Sequence, residues 1–265
     1  MSKIQKAFEN GKAFISFITC GDPSLEVTKE LIYAIEEAGA DLIELGIPFS
    51  DPTAEGIVIQ SANERALATG ITTDKIFEML ADVSVEVPLV FMTYANVLFS
   101  YGIERFVKKS KEVGISGIIL PDIPLEEKEE FETICTKYEL DFISLIAPNS
   151  NERTIQIAKQ AKGFVYYVSS LGVTGVRSDF AKGIQQNMAL IKKHTNTPCA
   201  IGFGISTQEQ AKEMVQYADG VIVGSAIVKM CEEYKQNCIE PIKLYIRKMK
   251  EAIKDIDQIR NKIDE

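Results

Sequence analysis

Short runs rich in β-branched residues alternate with amphipathic helical patterns along the whole chain, and this alternation restricts the fold more than any other feature. The pattern predicts strands near Phe14–Cys20, Leu42–Gly46, Pro88–Met92, Gly117–Leu120, Asp141–Ile146, Phe164–Val168, Cys199–Gly202 and Val221–Val223. Between them it predicts helices near 25–38, 104–113, 126–138, 152–160, 184–194 and 207–216. Near-continuous apolar strands separated by helices call for a parallel sheet covered on its outer face. Eight such units predict a closed (β/α)8 TIM barrel rather than an open doubly wound sheet. No linker-like stretch interrupts the 265 residues, so one barrel domain over 1–265 is expected.

The spacing of the units indicates where function sits. The interval from Leu42 to Pro88 and the one from Phe164 to Cys199 are the long ones. Their excess falls in SDPTAEGIVIQSA and SSLGVTGVRSDFAKG, which predicts extended loops after strands two and six. Strand-to-helix loops lie at the C-terminal face of a barrel, where barrel enzymes build their sites. The loops at 48–60 and 170–183 are therefore expected to order over a ligand. A last helix is expected over 241–254, followed by a charged tail.

Composition narrows the chemistry. A net charge of −9 argues against a nucleic-acid backbone or an anionic membrane as the main partner. No apolar run approaches the roughly 18 residues that span a bilayer. The first residues lack the pattern of a secretion signal, so a cytoplasmic location is expected. The five cysteines are scattered without a C-x-x-C and read as reduced thiols. His194 is the only histidine and follows two lysines near a helix end, where a cation is favoured. Histidine triads and His-rich metal sites are thereby excluded, and no metal is expected. Carboxylates, Tyr, Ser/Thr and backbone amides remain.

Glu44 is the most informative of these, because it stands inside an apolar strand near its C-terminal end. A buried carboxylate costs several kcal/mol unless it is paired, neutralised by a raised pKa, or used. An ion pair within the barrel and a general acid/base at its mouth are both open readings. Asp51 and Glu55 follow in the long loop, either as solvated loop charges or as a second acid for a two-carboxyl mechanism. Three glycine segments, Gly172–Gly175, Gly202–Gly204 and Gly224-Ser225-Ala226, fall at the ends of strands six, seven and eight. Backbone amides there form the phosphate site of many barrels, and Ser225 adds a hydroxyl donor.

The stretches FITCGDP (17–23), ELGIPFSDPTAEG (44–56), MTYAN (92–96), GVTG (172–175), GFGIS (202–206) and VGSAIVK (223–229) together resemble the tryptophan synthase α chain family, in order and nearly end to end. The resemblance implies a TIM-barrel lyase that cleaves indole-3-glycerol phosphate to indole and glyceraldehyde 3-phosphate. It implies no cofactor in this chain, and a pyridoxal-phosphate-dependent β chain as partner in an α2β2 complex, where indole is joined to serine. Glu44 matches the family's catalytic glutamate. Glu55 stands where the family has an aspartate that hydrogen-bonds the indole N–H, one methylene longer. Phe17, Thr19, Asp22, Met92, Tyr94, Tyr166 and Thr174 match positions lining or supporting the indole site. Gly175, Gly204, Gly224 and Ser225 match phosphate positions. Ser170 stands where many members carry Arg. Asp51, Pro52 and Asn96 match the family's β-chain contact surface.

Overall fold

The computed structural model describes residues 1–148, 150–169, 177–202 and 204–263, the side chains of 177–182 and 255–263 excepted. Eight strands close into a parallel barrel in chain order: β1 (Ala13–Thr19), β2 (Leu42–Gly46), β3 (Leu89–Met92), β4 (Ile115–Ile119), β5 (Asp141–Ile146), β6 (Val165–Val168), β7 (Cys199–Gly202) and β8 (Gly220–Val223). Closure is made by β8 on β1, with Ile15 opposite Ile222. The predicted strands agree with these to within one or two residues.

Alternation along each strand sorts the core into two layers. Inward-facing Ile15, Leu42, Val90, Ile119, Ile143, Ala200 and Ile222 fill the barrel. Outward-facing Phe14, Ile18, Ile43, Leu45, Phe91, Ile118, Tyr167 and Ile201 pack under the helices. The N-terminal end is sealed by a segment whose role the strand–helix alternation does not reveal. A capping box at Ser2 and Gln5 starts the short helix Lys3–Lys6. It delivers Ile4 into the inner layer, while Phe8 lies 5.8 Å from the Phe164 ring. Gly117 makes room for this plug, since a Cβ there would lie 2.8 Å from Ile4 Cδ1.

The long interval after β2 differs from expectation. Only residues 47–56 form a loop; Ile57–Ala68 is a helix, and a second helix, Thr73–Leu80, follows. The first has Gly56 as its N-cap and packs against β1 and against the helix Ser225–Tyr234. Likewise the helix before β7 starts at Arg177, inside the stretch expected as loop. The final helix runs from Ile239 to Ile263 and takes in the described part of the charged tail. His194 ends the helix Arg177–His194, with its Nδ1 2.9 Å from the Leu190 carbonyl. All five cysteines are buried free thiols. Among the described residues no helix is long and apolar enough to cross a membrane.

Candidate active site

The C-terminal ends of β1, β3, β6 and β8, together with the loop and helix after β2, enclose a cavity of about 400 Å³. Its apolar wall is Phe17, Val58, Ile59, Met92, Ile205 and Ile222, with Tyr166 beside them. Glu55 borders it from the loop after β2, and Gly204, Ser206, Gly224, Ser225 and Lys229 border it from the segments that follow β7 and β8. One part of the cavity therefore suits a flat apolar ring and another an anion.

Two glycines at strand ends adjoin aromatic side chains. A Cβ on Gly202 would lie 2.7 Å from the Tyr166 hydroxyl, and one on Gly224 would lie 3.3 Å from Phe17 Cβ. Gly204 is different: its φ of +80° is a conformation that L side chains rarely adopt. Gly224 is also the N-cap of the ten-residue helix Ser225–Tyr234, whose Ile227 and Val228 amides return to the Gly224 carbonyl. The amides of Ser225 and Ala226 have no such partner among the described residues, so the positive end of the helix dipole faces the cavity. Lys229 lies one turn further along the same helix face.

Glu44 on β2 lies in register with Phe17 on the neighbouring β1 and with Val90 on the neighbouring β3. It is wholly buried, and neither carboxyl oxygen has a hydrogen-bond partner among the described residues. Burial pushes its pKa up to about 8. Burial, and then the negative charge of Glu44, also raises the Tyr166 hydroxyl well above its usual value, which places the two side chains within electrostatic reach. The ion-pair reading of Glu44 finds no partner among the described residues.

Glu55 is held from three sides. The Tyr94 hydroxyl accepts from the Ala54 amide at 3.1 Å, Gln60 Nε2 donates to the Glu55 carbonyl at 2.7 Å, and Asn63 Nδ2 donates to Glu55 Oε2 at 2.7 Å. Burial raises the Glu55 pKa, while the Asn63 hydrogen bond opposes that shift. Asp22, at the end of β1, accepts a two-pronged bond from Arg65 at 2.9 and 2.8 Å and so ties β1 to the helix Ile57–Ala68.

The structure thus brings Phe17, Glu55, Met92, Tyr166, Gly204, Gly224 and Ser225 to one cavity. Glu44, Thr19 and Tyr94 do not border it. Thr19 is buried with its hydroxyl unpartnered among the described residues, and Tyr94 braces the Glu55 loop. Asp51 and Asn96 are exposed and Pro52 is half-buried, and none of the three lines the cavity. Ser170, Gly172, Thr174 and Gly175 lie outside the described residues. Sequence reasoning missed Lys229, although its four-residue spacing from Ser225 was legible. It also missed Val58 and Ile59, because their stretch was expected to be loop. No group of three His, Cys, Asp or Glu side chains gathers to hold a metal among the described residues.

Residues 3–254 match the sequence signature of the tryptophan synthase alpha chain. The chain is 44% identical to the tryptophan synthase alpha chain of Lacticaseibacillus casei over 261 residues, covering 98% of each. It is 45% identical to that of Thermoanaerobacter pseudethanolicus, covering 96% of this chain and all of the relative. This chain belongs to the tryptophan synthase alpha chain family. The crystal structure of tryptophan synthase subunit alpha from Legionella pneumophila superposes with a TM-score of 0.87 at 35% identity, covering 96% of this chain and 99% of that one. As a tryptophan synthase alpha chain it is a lyase that cleaves indole-3-glycerol phosphate to indole and glyceraldehyde 3-phosphate, with a β chain as partner. In this family the pyridoxal phosphate belongs to the β chain.

Proposed function

We propose that Glu44 and Glu55 divide the cleavage chemistry between them. With a pKa near 8, Glu44 is protonated at neutral pH. It gives that proton to indole C3, leaving the ring a cation. The Glu44 carboxylate then takes the proton of the glycerol hydroxyl beside the scissile bond. As that hydroxyl becomes an aldehyde, the electrons of the C–C bond return to the ring. Glu44 ends as it began, protonated, so one carboxyl serves as acid and then as base. The Glu55 carboxylate accepts from the indole N–H, a bond that strengthens as the ring gains charge. Because Glu44 does not border the cavity, its side chain must rotate to meet the substrate.

The phosphate is assigned to the amides of Ser225 and Ala226, the Ser225 hydroxyl, the Gly204 backbone and the Lys229 ammonium. Phe17, Met92, Tyr166 and Ile222 take the indole ring. Thr174 and Gly175 are expected to add to the ring and phosphate contacts respectively. Asp51, Pro52 and Asn96 are proposed to face the β chain in an α2β2 complex of the cytoplasm, with the chain acting as one barrel domain. The observation that carries this reading is a wholly buried carboxyl, partnerless among the described residues, beside a cavity bordered by a second acid.

The test is indole release from indole-3-glycerol phosphate, by the chain alone and with a β chain. Release that the β chain accelerates is expected. Binding to the β chain without indole release would instead make this chain a non-catalytic activator.

A further inference from the structure

Asn63 stands where an apolar side chain would be expected. It lies on the inner face of the helix Ile57–Ala68, between Ala62 and Ala66, both wholly buried, and is itself only 3% exposed. A buried amide is costly unless hydrogen-bonded. The hydrogen bond recorded for this side chain is the 2.7 Å donation from Nδ2 to Glu55 Oε2. Side chains on a helix tilt toward its N-terminus. Two turns in from the Gly56 cap, Asn63 is therefore directed back to the residue just before that cap. Gln60, from the same helix, holds the Glu55 carbonyl at 2.7 Å, so the helix grips both the backbone and the carboxylate of this residue.

We propose that Asn63 is a positioning residue for the cleavage reaction: it fixes Glu55 with Oε2 occupied and so presents Oε1 to the indole N–H. This rests on the role given to Glu55 above. A free glutamate rotates about three side-chain bonds, and ordering it on substrate arrival costs conformational entropy. Asn63 meets that cost in folding. Without it, the substrate still binds through ring and phosphate contacts, but the acceptor is misplaced when charge develops. The loss therefore falls on kcat and not on KM.

The experiment uses the chain with its β partner, following indole release for Asn63→Leu, which keeps the volume, and Asn63→Ala. Both substitutions are repeated on a Glu55→Gln background. A kcat about tenfold lower, with KM within about threefold, is expected for both single variants. On the Glu55→Gln background the same changes should cost less than about twofold, because the group they position is already gone. A full tenfold loss on that background would make Asn63 structural and overturn the proposal. So would unchanged kcat in both single variants beside a crippled Glu55→Gln. A Glu55→Gln protein with parental kcat would sink the Glu55 assignment itself, and this inference with it.

Discussion

The phenyl ring of Phe17 occupies the space that a side chain on Gly46 would need. A Cβ at Gly46 would lie 2.6 Å from Phe17 Cζ and 2.9 Å from Cε2. Both residues face inward near the strand ends, Phe17 opposite Glu44 and Gly46 opposite Thr19. The absent side chain at the end of β2 thus sets where the ring lies in the cavity wall. That ring sits beside the strand that carries Glu44.

Gly46→Ala should therefore act on the cavity through Phe17. The backbone at Gly46 has no positive φ, so overpacking is the whole effect. Such insertions cost about 1–3 kcal/mol. A lower denaturation midpoint and a reduced kcat/KM are expected together, and Phe17→Leu in the same chain should recover much of the stability. Stability equal to the parent would mean that the ring yields at no cost.

Glu44→Gln should reduce indole formation by about 10²–10⁴-fold, since the amide cannot exchange a proton. It should also change how stability depends on pH. The folded-state pKa of Glu44, near 8, lies above its unfolded value, so between roughly pH 4.5 and 8 the folded chain holds one proton more. The contribution is complete below the unfolded value and is lost as pH rises through the window, by roughly 1 kcal/mol per pH unit. Denaturant titrations at pH 5.5 and 8 should show the parent losing more stability than Glu44→Gln. Equal losses would place an unseen partner on the carboxyl.

The burial of Glu44 was legible because a carboxyl inside an apolar strand shares that strand's place in the core. The eight strands were legible because β-branched runs between helices leave few alternatives. Three features were not. The stretch Ile57–Ala68 opens with three apolar residues in a row, of which Ile57 is exposed, and its inner face sets polar Asn63 beside Ala62, Val58 and Ile59. No single apolar stripe marks it as a helix. Ile4 and Phe8 lie far in sequence from Gly117 and Gly220, whose missing side chains admit them. The glycines at 202 and 224 read as openings for an anion. Packing shows that Tyr166 occupies the space a side chain on Gly202 would need, and that one on Gly224 would press on Phe17.

Lys229→Gln should weaken binding of the phosphate-bearing substrate. Lys229 is the one cation among the described cavity residues, and the substrate brings a phosphate to a chain of net charge −9. A hydrogen bond to a charged group is worth about 1.5–3 kcal/mol, and its exposure to solvent pulls this one to the lower end. KM for indole-3-glycerol phosphate should rise about tenfold with kcat little changed, and the salt dependence of KM should flatten. An unchanged KM would leave the helix amides and Ser225 as the whole phosphate site.

Arg65→Met should destabilise the fold by about 1–3 kcal/mol, because it strands the nearly buried Asp22 carboxylate without its two-pronged donor. Arg65→Lys should restore only part, since an ammonium cannot reproduce the planar fork. Urea midpoints at constant slope measure both. Full stability in Arg65→Met would show that the tie between β1 and the helix Ile57–Ala68 is dispensable.

Tyr94 separates a substrate contact from a loop brace. Family resemblance places it at the indole site, yet it does not border the cavity, and its hydroxyl accepts from the Ala54 amide at 3.1 Å. Burial pushes its pKa up to about 12, so the group stays a neutral hydroxyl across the working range. Its ring stacks on Phe49 at 5.0 Å, a contact that Tyr94→Phe keeps. That substitution should therefore cost about 1 kcal/mol of stability or less, the net worth of one hydrogen bond. Its main effect should be local: the Ala54 amide, released beside Glu55, should exchange faster with solvent, and kcat should fall about three- to tenfold through misplacement of the acceptor. KM should hold, because no substrate contact is removed. A raised KM with kcat and Ala54 exchange unchanged would return Tyr94 to the substrate and leave the loop to be held by Gln60 and Asn63.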